Sequence, residues 1–306
     1  MPRAAIEQRD FNSLIRFQNQ DRGHFVCVGL DTNPDVLEAL IAKGLPLGLR
    51  KRATMAEKVV EFNKRVIDAT EHVAAAYKPN AAFYRRLGHL GPWALKETIQ
   101  YAHARVPGAV VIEDAKIADI GSTNEHYARE VFDYHGADAV TVQPYFGGEA
   151  MKPFLDRRHK GIIFLAKTSN PGSAEIQNLV AQIPDPQGGG TEPIYEHVAR
   201  LARYHWNANN NIGLVAGATH SEEAGRVRQI VGPDMFVLSP GVGAQGQTAA
   251  EIVPLVMRIG DTGVINSSRD IIFPKGVEPD THYFDRVHDA AHTLNREIFR
   301  AQNQVA

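Results

Sequence analysis

The residues best suited to chemistry lie in one charged stretch, Glu113–Thr123, which follows the apolar run Val110–Ile112. Because side chains alternate faces along a strand, we expect Asp114 and Lys116 on the same face, with Asp119 just beyond the strand. A lysine ammonium flanked by carboxylates stays charged, favours developing negative charge and can donate a proton. Taken alone, the stretch fits either a functional site or a structural ion pair, because short motifs also match by chance.

These charges need a scaffold, and the chain supplies short apolar runs that alternate with helical patterns. Runs that are apolar throughout are typical of a parallel sheet covered on both faces. Eight such βα units predict an α/β protein, a (β/α)8 TIM barrel that forms a single domain over residues 1–306. A doubly wound open sheet is disfavoured, because no G-x-G-x-x-G pattern follows the first strand. The predicted strands are 25–30, 74–77, 110–116, 139–142, 161–166, 212–216, 235–238 and 263–266.

Helices are predicted between these strands and at both ends of the chain. The N-terminal helix covers about residues 4–20, and the C-terminal helix covers about residues 283–301. Ser122 or Thr123 can cap the helix that follows the charged stretch. The segment 183–190 is rich in Pro and Gly, which predicts a loop. The other predicted helices are at about 35–42, 54–72, 92–105, 124–136, 193–209, 221–231 and 248–259.

Bulk composition argues against several classes of protein. The chain has 33 basic and 35 acidic residues, a net charge of −2 and 43% hydrophobic residues. This balance gives no sign of a nucleic-acid or membrane-surface binder. The single cysteine, Cys27, cannot form a disulfide within the chain, so a reducing compartment fits best. No apolar run approaches the roughly 20 residues of a membrane helix, and no signal-peptide core is evident, so we expect a soluble, cytoplasmic protein.

Active sites of (β/α)8 barrels lie at the carboxyl ends of the strands. The first three predicted strands end near Asp31, near Lys78 and at the pair Asp114 and Lys116, with Asp119 just beyond. One or two charges at strand ends are ordinary solvated loop residues, but charges that converge from three strands indicate a site. Ser169 and Asn170 follow the fifth predicted strand, and Arg269 follows the eighth.

The loops after the seventh and eighth predicted strands indicate a phosphate site, which barrels often form there from backbone N–H groups. Gly241, Gly243 and Gly246 let the backbone approach a ligand closely. Gln245 adds an amide donor, and Arg269 adds a planar guanidinium. The alternative is that the glycines only make a tight turn and that Arg269 is a surface cation. Phosphate binding is favoured because both features fall on the two expected loops.

The motif Asp114-x-Lys116-x-x-Asp119, followed by Ile120-Gly121-Ser122-Thr123, resembles the signature of the orotidine 5′-phosphate decarboxylase family. The resemblance covers the chain from about Phe25 to Arg269. The long loops 32–54 and 173–190 are similar to those of the longer bacterial form of the family, type 2. The other matching segments are Lys78-Pro79-Asn80, Thr168-Ser169-Asn170-Pro171-Gly172, Ser239-Pro240-Gly241-Val242-Gly243-Ala244-Gln245 and Arg269.

This resemblance implies a reaction and an assembly. The implied reaction is that of a carboxy-lyase, the conversion of orotidine 5′-phosphate to UMP and CO₂ in de novo pyrimidine biosynthesis. The resemblance implies no metal ion and no organic cofactor. It also implies a homodimer in which Asp119 and Thr123 reach into the partner's site.

The resemblance further implies roles for individual residues. Loss of CO₂ leaves a carbanion-like centre at C6, which Lys116 would stabilise and then protonate. Asp114 would lie beside the substrate carboxylate, and Asp119 of the neighbouring subunit would complete the array. Lys78 would hold Asp114 and the ribose hydroxyls, and Asp31 would accept from the ribose. The remaining expected substrate contacts are Ser169 at the pyrimidine edge, Thr123, Asn170 and Pro171, and Gly243, Ala244, Gln245 and Arg269 at the phosphate.

Two other functions stay open at this point. A Mg²⁺-dependent sugar-phosphate decarboxylase or aldolase on a related barrel shares the Asp-x-Lys-x-x-Asp motif. Its metal site needs a carboxylate at the end of the second strand, where this chain has Lys78. A non-catalytic phosphate-ligand sensor would keep Gln245 and Arg269 but would not need the charged array around Lys116.

Overall fold

The structure is a computed structural model that describes residues 8–183, 189–242 and 247–304. Its strands are β1 (Val26–Leu30), β2 (Ala74–Pro79), β3 (Val110–Ile117), β4 (Ala139–Val142), β5 (Gly161–Lys167), β6 (Val180–Gln182), β7 (Thr191–Pro193), β8 (Ile212–Ala216), β9 (Phe236–Pro240) and β10 (Gly263–Ser267). Within the described residues, eight of them close into a parallel barrel in the order β1-β10-β9-β8-β5-β4-β3-β2, while β6 and β7 form a separate antiparallel pair. The predicted (β/α)8 TIM barrel is confirmed. That residues 1–306 form a single domain stays a prediction.

Helices connect the barrel strands and cover them from outside, as the alternating sequence pattern predicts. None of the described helices is both long enough and apolar enough to cross a membrane. Three of the α-helices continue as π-helical segments, at Phe17–Asp21, Arg129–His135 and Ala202–Trp206. The α-helices are Phe11–Arg16, Pro34–Ala42, Met55–Thr70, Ala81–Arg85, Gly91–Arg105, Gly121–Ala128, Gly147–Ala150, Lys152–Leu155, Ala174–Gln177, Ile194–Leu201, Ser221–Val231, Ala249–Val256, Arg269–Ile272 and Tyr283–Asn303.

The helix Met55–Thr70 shows how the sequence builds this outer layer. A capping box closes its first turn, because the Thr54 side chain accepts from the Glu57 N–H and the Glu57 carboxylate accepts from the Thr54 N–H. Val59 and Phe62, three residues apart, lie on one face and are buried in the core between helices and barrel. Each such buried side chain contributes roughly 1.5–3 kcal/mol to stability.

The N-terminal helix Phe11–Arg16 packs into the amino end of the barrel. Asp10 caps its first turn. The Phe11 ring meets the Phe236 ring of β9 edge-on, with 5.0 Å between centroids. Gly161 of β5 makes room for Phe11, because a Cβ at Gly161 would lie 2.8 Å from the ring. Side chains therefore fill the amino half of the barrel, and the carboxyl half is available to a ligand.

The helix after the charged stretch begins at Gly121, earlier than the predicted Asn124. Ser122 and Thr123 lie in its first turn, so the prediction that one of them caps it is wrong. The Asn124 side chain explains the earlier start. It accepts from Asp119 N at 2.9 Å and donates to Asp119 O at 2.6 Å, which ties the preceding loop to the first turn.

Other helix boundaries also differ from the predictions, among them the following two. The described N-terminal α-helix begins at Phe11, whereas it was predicted from about residue 4; residues 1–7 lie outside the described ranges. The helix predicted to end near residue 259 ends at Val256, two residues after Pro254. A proline inside a helix removes one backbone donor and shortens or bends the helix.

The strands β6 and β7 were not predicted. They flank the predicted loop 183–190, of which residues 184–188 lie outside the described ranges. Each strand has three residues and is largely exposed, so neither carries the apolar run that marks the barrel strands.

Candidate active site

A cavity of about 500 Å³ opens at the carboxyl ends of the barrel strands. Its wall joins residues that are far apart in the sequence. Leu165, Val215 and Leu238 form an apolar part of that wall. The other lining residues are Asp31, Lys78, Asn80, Asp114, Lys116, Thr141, Thr168, Ser169, Asn170, Pro240, Gly241, Val242, Asn266, Ser267, Ser268 and Arg269.

The carboxylate of Asp114 binds two lysines, one on each oxygen. Lys78 Nζ donates to Asp114 Oδ2 at 2.9 Å, and Lys116 Nζ donates to Asp114 Oδ1 at 2.5 Å. Lys78 Nζ also lies 3.9 Å from Asp31 Oδ1. Lys78 and Asp114 are almost fully buried, whereas the Lys116 side chain is exposed in the cavity.

Burial and neighbouring charges shift the pKa values of Asp114 and Lys78 in opposite directions. Burial alone would raise the pKa of Asp114, but the Lys78 and Lys116 ammonium groups outweigh it and hold that pKa below its usual range. Burial alone would lower the pKa of Lys78, but Asp114 and Asp31 outweigh it and hold that pKa above its usual range. The carboxylate and the ammonium of the buried pair are therefore both charged at neutral pH. Fixed charges of this kind stabilise a charge that develops beside them.

The strand β3 is irregular where it carries these charges. Glu113 pairs with Val140 and Ile117 pairs with Val142, so three residues of β3 oppose the single residue Thr141. Lys116 has φ +50°, in the left-handed region that residues other than glycine rarely adopt. Asp114 and Lys116 were expected on the same face of the strand. Their side chains are in contact, although the bulge interrupts the regular alternation of β3.

Two buried oxygens in the cavity wall accept no hydrogen bond from the described residues. They are Asp31 Oδ1, at the end of β1, and Asn266 Oδ1, in β10. Buried acceptors normally have a donor, and an exception calls for a specific explanation. Hydroxyl groups of a ligand would supply such donors.

The loop after β5 is fixed by several contacts. Thr219 Oγ1 donates to Ser169 O at 2.7 Å. Gly217 lies so close that a Cβ there would be 2.7 Å from Ser169 N. Lys167 Nζ donates to Asn178 Oδ1 at 2.6 Å, so this buried lysine supports the loop. Ser169 is thereby held at the cavity wall.

The ends of β9 and β10 form another part of the cavity. Gly29 allows the loop after β10 to approach β1, because a Cβ at Gly29 would lie 1.9 Å from Ser268 Oγ. Gly241 has φ +103°, which glycine adopts without strain. Arg269 is exposed and lines the cavity. The other residues predicted to hold phosphate, Gly243, Ala244 and Gln245, lie outside the described ranges, as does Gly246.

Asp119, Thr123 and Pro171 differ from the other predicted residues in position. The cavity wall that the described residues form does not include these three residues. Asp119 Oδ1 accepts from Ile120 N at 2.6 Å in the loop after β3, and Thr123 follows in the first helical turn. Pro171 is exposed at the start of the 3-10 turn Pro171–Ser173.

A model of the orotidine 5′-phosphate decarboxylase / HUMPS family matches residues 25–278. The chain belongs to this family. The resemblance inferred from the motifs is thereby confirmed.

Individual relatives agree with this membership. An orotidine 5′-phosphate decarboxylase of Halorubrum lacusprofundi is 44% identical over 283 residues, which cover 89% of this chain and 92% of that protein. The OMP decarboxylase structure of Leishmania donovani is 33% identical, covers 96% of this chain and 99% of its own, and superposes with a TM-score of 0.76. The UMP synthase structure of the same organism is 34% identical with a TM-score of 0.77; the match covers 96% of this chain and 56% of that protein.

The decarboxylase motif at Asp114–Asp119 pointed to β3, and two cavity residues of other strands were missed. Thr141 and Asn266 line the cavity, yet no role was predicted for either. Alternation along β4 places Thr141 between Val140 and Val142, which could have suggested that it faces the barrel interior. No comparable sequence signal singled out Asn266.

Proposed function

We propose that this protein is an orotidine 5′-phosphate decarboxylase, which converts orotidine 5′-phosphate to UMP and CO₂ in pyrimidine biosynthesis. The observation that carries the proposal is the array of Lys78, Asp114 and Lys116 in the wall of the 500 Å³ cavity. Membership of the family supports the reaction class.

Lys116 is the proposed proton donor. Loss of CO₂ from C6 of the pyrimidine leaves negative charge on a carbon that has no adjacent carbonyl to accept it. An exposed ammonium in the cavity, fixed by the Asp114 carboxylate at 2.5 Å, stabilises that charge and then protonates C6. The left-handed backbone of Lys116 sets the direction from which the side chain enters the cavity.

Asp114 and Lys78 prepare the site for this step. Asp114 keeps Lys116 charged and aimed, and it faces the substrate carboxylate, whose negative charge passes to C6 as CO₂ leaves. Lys78 neutralises the second carboxylate oxygen at 2.9 Å and presents its remaining protons to the ribose hydroxyls. The oxygen Asp31 Oδ1, which has no donor among the described residues, accepts from the ribose.

The remaining proposed contacts hold the base and the phosphate. Ser169 recognises the amide edge of the pyrimidine, and the fixed loop after β5 supports this role. Arg269 binds the phosphate through its guanidinium. Binding energy from the distant phosphate lowers the barrier at C6 when it is used to close and order the site. The other proposed substrate contacts are Asn170, Pro171, Gly243, Ala244 and Gln245.

We propose that the reaction proceeds without a metal ion or an organic cofactor. The chemistry at the end of β2 supports this, because the group there is the ammonium of Lys78, bound to Asp114 at 2.9 Å. A Mg²⁺-dependent relative needs a carboxylate at this position, and a lysine repels a divalent cation.

We further propose a cytoplasmic homodimer with shared sites. Asp119 and Thr123, which the described cavity wall of their own chain does not include, would each complete the site of the partner. Ile120, between them, is 59% exposed, and an exposed large apolar side chain next to functional residues suits a surface that another subunit covers.

The experiment that tests the proposed function is a metal-free assay. Purified protein is incubated with orotidine 5′-phosphate and excess EDTA, and the change in ultraviolet absorbance is followed together with CO₂ release. We expect equal turnover with EDTA and with added Mg²⁺. Orotidine without the phosphate serves as the matched control and should react far more slowly. Folded protein that releases no CO₂ in either condition would reject the proposal.

A further inference from the structure

The side chain of Thr141 connects the two residues at the centre of the site. Thr141 lies in β4, is 1% exposed and lines the cavity. Its hydroxyl donates to Asp114 Oδ1 at 2.8 Å and accepts from Lys116 N at 3.1 Å. A hydroxyl has one proton to donate and two lone pairs, so both bonds form at the same time.

The backbone explains why Lys116 needs this contact. The register shift in β3 places residues 114–116, which include Lys116, opposite the single residue Thr141 of β4. Lys116 N donates to the hydroxyl of Thr141, which ties this irregular part of β3 to β4. A non-glycine residue keeps a left-handed backbone only where surrounding contacts hold it in place. For Lys116, at φ +50°, the hydrogen bond to Thr141 is one of these contacts.

We infer that Thr141 is a positioning residue, which holds the Lys116 backbone and the Asp114 carboxylate in one fixed arrangement so that the ammonium meets C6. The inference rests on the proposed function and adds to it a residue that was not predicted from the sequence. Lys78 occupies Asp114 Oδ2, while Thr141 and Lys116 Nζ share Oδ1. Loss of the hydroxyl frees the carboxylate to rotate and the bulge to relax.

The test compares hydroxyl-bearing and hydroxyl-free side chains at this position. Thr141→Val keeps the size and the branched Cβ but removes both hydrogen bonds, and Thr141→Ser keeps the hydroxyl. The matched control is Thr70→Val, the same change at a buried threonine outside the cavity wall, whose hydroxyl bonds Val66 O and the Tyr77 hydroxyl. For each protein, kcat, KM, the Kd of UMP and the thermal midpoint are measured.

We expect kcat of Thr141→Val to fall about 10- to 100-fold, because small displacements of reacting groups cost this much. KM and the Kd of UMP should stay within about threefold, since the proposed ribose and phosphate contacts are untouched. Thr141→Ser should recover most of the lost kcat, and Thr70→Val should keep the wild-type kcat, KM and Kd of UMP.

Three results would overturn the inference. The first is unchanged kcat and unchanged KM in Thr141→Val. The second is a raised KM with unchanged kcat, which would make Thr141 a substrate contact. The third is a Thr141→Ser variant as slow as Thr141→Val. If Thr141→Val does not fold, Thr141→Ala is compared with Thr141→Ser in its place. A wild type without turnover is a separate outcome, which rejects the proposed function and this inference with it.

Discussion

Lys78 and Asp114 form an almost completely buried ion pair, with 2.9 Å between Nζ and Oδ2 and residue exposures of 4% and 8%. Such a pair gains little net stability, because desolvation offsets much of the attraction. Its value lies in fixing two charges in a site where water does not screen them. The removal of either partner leaves the other buried charge with one remaining counter-charge, Asp31 at 3.9 Å for Lys78 and Lys116 at 2.5 Å for Asp114.

Replacement of Asp114 by Asn should therefore lower both activity and stability. It leaves Lys78 and Lys116 as two ammonium groups without the carboxylate that both now bind. We expect a loss of about 3–5 kcal/mol in the free energy of unfolding and no measurable decarboxylation. Urea unfolding at neutral pH measures the loss in the free energy of unfolding.

The matched control for this change is Asp35→Asn, which breaks the exposed Arg86–Asp35 pair. Exposed ion pairs contribute little, so this variant should unfold almost as the wild type does. If both variants lost the same free energy of unfolding, burial would not be what makes the Asp114 charge costly to remove.

Replacement of Arg269 by Ala should weaken ligand binding through the phosphate alone. We expect the binding free energy of UMP to weaken by about 1.5–3 kcal/mol, the contribution of a hydrogen bond to a charged group. Titration calorimetry with UMP and with uridine separates the contributions. If Arg269→Ala weakened uridine binding as much as UMP binding, Arg269 would not be the phosphate contact.

The shared-site proposal predicts that two inactive variants complement each other. In a homodimer with two-fold symmetry, a mixture of Lys116→Ala and Asp119→Ala forms heterodimers with one intact site, and random exchange restores about a quarter of the wild-type activity. The assay follows CO₂ release after the subunits are mixed and exchanged. Activity that stays at zero in proven heterodimers would mean that Asp119 acts within its own chain.

His24 should make stability fall as the pH is lowered from neutral. Burial, together with Arg22 and His72, lowers the pKa of His24 from 6.5 to about 4 in the folded protein. The unfolded chain therefore takes up this proton first, between pH 6.5 and pH 4, and stability is lost across that range as the pH falls. His24→Gln should lose less thermal stability between pH 7 and pH 5 than the wild type.

The exposed His126 provides the control for this pH effect. His126→Gln should follow the wild-type decline in thermal midpoint between pH 7 and pH 5. A decline in His24→Gln as steep as that of the wild type would show that other groups cause the loss.

The barrel could be predicted because its strands are marked by apolar runs. Predicted and observed strand ends agree within two residues, as for 74–77 against Ala74–Pro79. The short pair Val180–Gln182 and Thr191–Pro193 was missed because its residues are largely exposed and no apolar pattern identifies them. The helix start at Gly121 was missed because the Asn124 side chain decides it through contacts that no spacing rule describes.

The site could be predicted where charge itself was the signal. Lys78, Asp114 and Lys116 stand out in the sequence because charged residues at buried strand ends are unusual. The role of Thr141 depends on the bulge opposite it and on the φ of +50° at Lys116, which are properties of the backbone and leave no periodic trace in the sequence.

The most direct test of the account is the Lys116→Ala variant, assayed for CO₂ release and for UMP binding. Lys116 supplies the proposed proton, so we expect decarboxylation to fall by at least about 10²–10⁴-fold, the usual worth of general acid catalysis. The Kd of UMP should stay within about tenfold, because the phosphate and ribose contacts remain. Turnover close to that of the wild type would contradict the account, since the C6 proton would then come from another group.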